Sequence, residues 1–343
     1  MKVPTSRILP LLSIAITLVF SACSDDDSDL IEHHFNPQWS PDGSTVVAAY
    51  VRGTAMAGGE VTGPGSPAHP GTELAILTVN TRSKRIIDLA PLRTQHALYE
   101  FDPSGTVLLL AQDGRLSLVD LNGTLRGSYN VPGAPQHVFA RFVEGAGNVV
   151  LCASGTTQLE VRRLLFDPTT WSVIDDSLLM SAPAPAPLVA LTPIGRDGLA
   201  LRFENGVVRA YSFDGTLLHS FTTDSYTTIN AWHQRMVYFQ RQFGSPLLYV
   251  MEKDALSTLD LSSGAKSVLV TGQVIDMDVS DERNALVYET KTGDVWLSSV
   301  AGLPLSRIAP QNLMPRFSAD GAGIATVERL NTRTDSLRIL RFF

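Results

Sequence analysis

Residues 101–131 set out a four-strand unit. Thr106 to Ala111 is an apolar run closed by Gln112-Asp113-Gly114, a strong hairpin signal. Arg115-Leu116-Ser117-Leu118-Val119 then alternates polar and apolar, as a half-buried strand does. Asp120-Leu121-Asn122-Gly123 turns the chain again, and Leu125 to Val131 supplies a fourth, more polar strand. The same grammar returns at Asn205 to Gly215 and at Thr292 to Leu297. Between them, Leu159–Leu165 and Leu247–Met251 are each followed by a turn and another strand.

A short phrase marks where units begin. Pro37-Gln38-Trp39-Ser40-Pro41-Asp42-Gly43 near the start is echoed by Pro315-Arg316-Phe317-Ser318-Ala319-Asp320-Gly321 near the end, with Phe101-Asp102-Pro103-Ser104-Gly105 between them. The units fall near 35–90, 91–131, 132–180, 181–222, 223–271, 272–309 and 310–343. A repeat of about 40–45 residues with four short strands each predicts an all-β fold, a single β-propeller. Seven blades fit the spacing best; six or eight stay open because the middle units have lost the phrase. The last unit holds only three strands, so the ring is expected to close with Leu30 to Phe35 as the missing fourth.

The N-terminus follows a different pattern. Lys2 and Arg7 precede a nearly continuous apolar run from Leu9 to Phe20, the layout of an export signal, and at about a dozen residues it is short for a membrane span. Ser21-Ala22-Cys23 resembles a bacterial lipobox, although Phe20 stands where leucine is usual. That resemblance implies an acylated Cys23 as the first mature residue, with Ser24 after it matching outer-membrane sorting. The expected organisation is a signal peptide over 1–22, an acidic tether over 23–30 and the propeller over 31–343.

Composition narrows the partners. Without Lys2 and Arg7 the chain has 25 basic against 34 acidic side chains and no basic cluster, which argues against nucleic acid. Beyond Cys23 the only cysteine is Cys152, in the apolar run Val149 to Ala153, so no internal disulfide is available after cleavage. Cys152 reads as a small buried hydrophobe.

Trp39 to Gly43, followed by Val46-Val47-Ala48, resembles the WD40-like (PD40-type) repeat of the TolB family of propellers. Phe101 to Gly105 matches it with Asp and Ser exchanged, Phe317 to Gly321 with Ala319 for proline, and Phe142-Val143-Glu144-Gly145 as a decayed copy. The later units are also similar to outer-membrane assembly lipoproteins built as propellers. The resemblance implies a role in envelope maintenance or protein assembly. On physical grounds Trp39, Phe101 and Phe317 are large enough to wedge between blades, while Asp42-Gly43, Ser104-Gly105 and Asp320-Gly321 permit the tight reversal that follows.

No nucleophile elbow, His-Glu-x-x-His, phosphate loop or dinucleotide fingerprint occurs, no cofactor is called for, and no catalytic domain is expected beyond the ring. One constellation stands out. His34, His96 and His137 each lie five residues before Trp39, Phe101 and Phe142, so they share one repeat phase. At that phase they could line one end of the central channel and hold a metal or an anionic group, with Gln95 and Gln136 beside them; alternatively, each is a repeat relic bonded to a loop carbonyl. Arg52 to Thr72, rich in Gly and Pro, is long enough to be either a partner-contacting loop or an insertion, and Ala182 to Pro187 reads as a stiff connector. The leading expectation is a lipid-anchored, outer-membrane protein-binding or scaffold module. The alternative is an enzyme or sensor taking a sugar, peptide or metal at the channel mouth.

Overall fold

The computed structural model describes residues 16–18, 30–54, 73–89, 98–112, 114–133, 135, 138–143, 145–196, 198–224, 236–239, 246–330 and 334–341. They form seven separate four-stranded antiparallel sheets and, among the described residues, no helix. The first strand, β1 (Ile16–Leu18), belongs to the last sheet. Blade 1 is β2 (Leu30–Trp39), β3 (Thr45–Thr54), β4 (Glu73–Thr78) and β5 (Ser83–Asp88). Blade 2 is β6 (Leu98–Phe101), β7 (Val107–Gln112), β8 (Arg115–Asp120) and β9 (Leu125–Asn130). Blade 3 is β10 (Val138–Phe142), β11 (Val149–Ser154), β12 (Gln158–Phe166) and β13 (Val173–Pro183). Blade 4 is β14 (Leu188–Ile194), β15 (Gly198–Phe203), β16 (Val207–Ser212) and β17 (Leu217–Thr222). Blade 5 is β18 (Met236–Phe239), β19 (Leu247–Glu252), β20 (Ala255–Asp260) and β21 (Lys266–Thr271). Blade 6 is β22 (Val274–Ser280), β23 (Ala285–Thr290), β24 (Asp294–Ser299) and β25 (Pro304–Pro310). Blade 7 is β26 (Asn312–Phe317), β27 (Gly323–Arg329), β28 (Asp335–Arg341) and, at its outer edge, β1.

The architecture is thus a seven-bladed β-propeller, and the unit boundaries read from spacing fall close to the sheet boundaries. Three details differ. Leu30 to Phe35 does not complete the last blade: it opens the innermost strand of blade 1, pairing with β3 on one side of a bulge and continuing into Gln38-Trp39 on the other. The closing strand is instead β1, with Ile16, Thr17 and Leu18 opposite Arg341, Leu340 and Ile339, inside the segment read as lying outside the fold. The third unit runs on to Pro183, so Ala182 and Pro183 finish an outer strand rather than starting a connector; proline is tolerated at such an edge. Arg52 to Thr54 extend β3, and the rest of the expected long loop, 55–72, lies outside the described residues.

Blades pack through apolar faces. The second strands are almost wholly buried, the third strands buried in part or in alternation, and the core consists of clusters lying between neighbouring blades. Val47, Leu74, Ile76, Phe101, Leu108 and Leu110 pack together between blades 1 and 2; Phe317 packs with Val287, Val295 and Ile324 between blades 6 and 7. Trp39 packs against Ala325, Leu337 and Ile339 of blade 7, and its Nε1–H donates to the Arg316 carbonyl at 3.0 Å.

Each motif turn is a hydrogen-bonded unit. Ser40 Oγ donates to Asp42 Oδ1 at 2.6 Å and accepts the Thr45 N–H at 3.0 Å, while Asp42 Oδ1 accepts the Ser44 N–H at 3.0 Å. Ser318 and Asp320 repeat this geometry. The hydrogen bond from Ser40 holds Asp42 below the ordinary carboxylate value, and that from Ser318 does the same for Asp320. In blade 2 the two residue types trade places. Buried Asp102 accepts the N–H groups of Thr106 and Val107 at 2.8 and 2.7 Å, and Ser104 donates its hydroxyl back to Asp102. The exchange keeps the bonded pair, so the copy is equivalent. Gly105, at φ +74°, needs its glycine twice over, since a Cβ there would meet Pro41 Cδ of blade 1 at 3.2 Å.

Candidate functional site: a polar belt on the innermost strands

The residue just before each wedge aromatic is polar: Gln38, Glu100, Arg141 and Arg316. In blade 6 the corresponding place, two before Ser280, holds Asp278. These residues lie on the innermost strands, nearest the axis, and they link one blade to the next. Glu100 Oε2 accepts the Phe142 N–H at 2.9 Å, and Asp278 Oδ2 accepts the Phe317 N–H at 2.9 Å. Two junctions far apart in sequence therefore use one device, a carboxylate on one blade capping the wedge amide of the next. Arg141 Nη2 adds an ion pair to Glu100 at 3.1 Å.

The belt is most charged where blades 6, 7 and 1 meet. Arg316 is 2% exposed; its Nη1 donates to Asp276 Oδ2 at 2.7 Å and its Nη2 to Asn36 Oδ1 at 3.0 Å. Gln38, its counterpart in blade 1, donates to the same Asn36 oxygen at 2.9 Å. Three innermost strands are thereby joined through β22, β26 and β2. Burial works against the Arg316 charge, but Asp276 and Asp278 outweigh it and keep the guanidinium above its ordinary pKa. Glu289 accepts the Met314 N–H at 2.8 Å; burial first, then the neighbouring Asp276 charge, pushes its pKa up to about 8.

Local backbone shape aims these groups. β2 and β26 each carry a bulge, between Phe35 and Gln38 and between Leu313 and Arg316. Asn36 and Met314 occupy the matching positions with φ of +47° and +54°, each directly before a proline. Left-handed non-glycine residues are uncommon, and here the bulges turn successive side chains across the blade junction. The Asn36 N–H meets Met314 Sδ at 3.0 Å, and Tyr99 of blade 2 donates its hydroxyl to the Asn36 carbonyl and accepts the Ala49 N–H at 2.8 Å.

His34 lies in this closing region. It is 2% exposed, its N–H and Nδ1 both meet Asp335 Oδ1 of blade 7, at 2.8 and 2.7 Å, and Tyr50 packs on its ring. Its Nε2 is buried without a hydrogen-bond partner among the described residues. His96 and His137, like Gln136, lie outside the described residues, and among those described no three His, Cys, Asp or Glu side chains form a metal-holding group. Cys23 also lies outside them. Cys152 is buried, and burial pushes its thiol up to about 12, which makes it unreactive at neutral pH.

The circumference differs from the axis. The outer strands of blades 3 to 6 and their preceding turns expose Ile174, Leu217, Leu218, Val268, Leu303 and Leu305, each 50–67% exposed. Four of them sit at the start of an outer strand and Leu303 just before one, next to the turn that enters it; Val268 stands two residues further along its strand. That end of the blades also carries the Ser-x-Asp-Gly turns. The outer strand of blade 1 presents Lys84, Arg85 and Asp88 instead. On the opposite face, a cavity of about 300 Å³ between blades 2 and 3 is lined by Ser154, Thr156, Thr157, Gln158 and Glu160 with Pro132.

Fold and belt together define a propeller whose polar residues near the axis are engaged in holding blades. No family model matches the chain, and no curated protein matches it in sequence. Solved structures do. It is similar to the crystal structure of RRP9 WD40 repeats, at 12% identity over 92% of this chain and 98% of that one, with a TM-score of 0.63. It is similar also to the structure of U3-55K (12% identity, 92% and 99% covered, TM-score 0.62) and to the Neurospora crassa Pan2 WD40 domain (8%, 90% and 88%, TM-score 0.62). At such identities the likeness is one of fold, the seven-bladed β-propeller.

The belt is not evident from the repeat phrase alone, because its residues meet across blade junctions and not within one repeat. Its signal was nonetheless present: a polar residue immediately before each wedge, in strands otherwise buried.

Proposed function

We propose that the chain is a protein-binding or scaffold propeller, held to the cell envelope by a lipid on Cys23. The observation that carries the binding reading is the row of exposed apolar side chains on the outer strands of blades 3 to 6. Apolar side chains at equivalent places on neighbouring blades are a feature of partner-contacting surfaces. The anchor reading rests on Leu9–Phe20 and Ser21-Ala22-Cys23. It brings with it a bacterial origin, a TolB-like role in envelope maintenance or assembly, and an outer-membrane location.

The two readings fit one geometry. β2 starts at the face opposite the Ser-x-Asp-Gly turns, since Leu30 pairs with Thr54 at the far end of β3. A tether of residues 24–29 reaches about 20 Å at most, so that face is held toward the bilayer. The apolar row lies toward the other face, away from the membrane and open to a partner.

Two measurements test this. Cys23→Ser should abolish the lipid mass increase and move the protein to the soluble fraction; unchanged membrane retention with no lipid on the wild type overturns the anchor. In-cell cross-linking should give a discrete partner adduct that Leu217→Lys with Leu305→Lys removes while the melting temperature holds. An adduct indifferent to both changes overturns the proposed surface.

A further inference from the structure

We propose that the outer edge of β28 is a strand-acceptor site, held in the uncleaved chain by Ile16–Leu18 and taken in the mature protein by an extended, uncharged, apolar strand of a partner. The proposal rests on the reading that the chain is cut before Cys23.

Six blades receive their outer strand from their own repeat, with lengths of six to eleven residues. The seventh is different. Its outer strand comes from the other end of the chain, is three residues long, and pairs only with Ile339, Leu340 and Arg341 of the seven-residue β28. A sheet edge presents backbone N–H and C=O groups, and pairing with an added strand is the direct way to satisfy them. Here the chain itself shows that this edge takes an antiparallel strand of the sequence Ile-Thr-Leu.

Cleavage before Cys23 severs β1 from β2, because Cys23 falls in the sequence between Leu18 and Leu30. What then joined the strand to the ring intramolecularly becomes a free peptide, and its effective concentration at the edge collapses. The edge is left on a blade whose body is already folded: Leu337, Ile339 and Leu340 are buried, and β27 pairs with all seven residues of β28. A preformed acceptor of this kind binds a strand without reorganising. Export and the opening of the binding edge thus become one event.

The test uses a labelled synthetic peptide of residues Ser13–Phe20 with a lysine tail for solubility. It is titrated by fluorescence anisotropy against two Cys23→Ser chains, one full-length and one starting at residue 23. The shortened chain should bind saturably, the full chain at least about tenfold more weakly, and a Leu18→Pro peptide should bind neither, because Leu18 lies opposite Ile339 in a hydrogen-bonded pair and proline removes its ladder donor. Hydrogen exchange should slow at Ile339 and Arg341, whose N–H groups face the added strand, when the peptide is present. If the shortened chain does not fold, full-length chain with Leu18→Pro must bind the wild-type peptide in its place. No binding, equal binding to both chains, or equal binding of the proline peptide overturns the acceptor site. Self-association of the shortened chain that the peptide does not reverse assigns the edge to a second copy and also overturns it. Because both chains are made directly, this result is independent of whether cells cut before Cys23, which the lipid mass measurement decides separately.

Discussion

The junction between blades 3 and 4 and the junctions around blade 7 solve the same problem with different chemistry. Between blades 3 and 4, Phe139, Leu151, Val161, Leu191, Leu201 and Phe203 form a continuous apolar core. Between blades 6, 7 and 1 the apolar clusters are smaller, and buried Arg316, Asp276, Asn36, His34 and Asp335 fill the difference. Blades 3 and 4 follow one another in sequence, so proximity is guaranteed and non-directional packing suffices. Blades 7 and 1 come from opposite ends of the chain. Their meeting has to be selected among several apolar blade faces of similar shape, and a guanidinium with fixed partners selects in a way that methyl groups do not.

Breaking the charged side should have the largest effect. Arg316→Leu leaves Asp276 without its cation in a buried site, and a loss of about 3–5 kcal/mol is expected, read as a fall in the urea midpoint. A loss below 1 kcal/mol would mean that the ion pair does not distinguish the two regions. On the apolar side, Leu201→Ala should cost about 2–4 kcal/mol by opening a cavity. That cost should be the same at pH 5 and pH 8, because the cluster holds no carboxylate, histidine or lysine.

Glu289 sharpens the contrast. Its folded-state pKa of about 8 lies above the ordinary 4.5, so the native protein holds a proton that the unfolded chain releases. The stability from that proton is full below about pH 4.5 and is lost as pH rises through about 8. Wild type should therefore lose urea resistance between pH 5 and pH 8.5 relative to Glu289→Gln. Parallel curves for the two proteins would show that the Glu289 carboxyl is not held neutral.

The smallest effect concerns the exchanged turn. Asp102→Ser should cost about 1 kcal/mol through lost hydrogen bonds, and adding Ser104→Asp should restore most of it by rebuilding the arrangement of Ser40 and Asp42. Additive losses in denaturant midpoint would mean that the two turns are not equivalent.

The blade count and the unit boundaries were legible because turns such as Asp120-Leu121-Asn122-Gly123 recur at a regular distance and bracket strands of standard length. Ring closure was not legible. Leu30 to Phe35 and Ile16 to Leu18 are both short, and pattern alone does not say which edge either one meets. The belt was legible only in part. Arg316 and Gln38 are visible as polar intrusions, but their convergence on Asn36 depends on two bulges whose left-handed residues, Asn36 and Met314, carry no glycine to announce them. For His34, repeat phase placed the residue on the innermost strand, whereas its partner Asp335 lies 301 residues away and no periodicity links them.

Buried charge, and not apolar area alone, holds blade 7 against its neighbour, blade 6. A double-mutant cycle on Arg316→Leu and Asp276→Leu tests it most directly, with stability measured by urea unfolding at neutral pH. The expected result is a coupling of at least about 2 kcal/mol, the double variant being more stable than the two single losses predict, because removing both charges leaves neither stranded. Losses that simply add would contradict this and leave the junction between blades 6 and 7 as one more apolar interface.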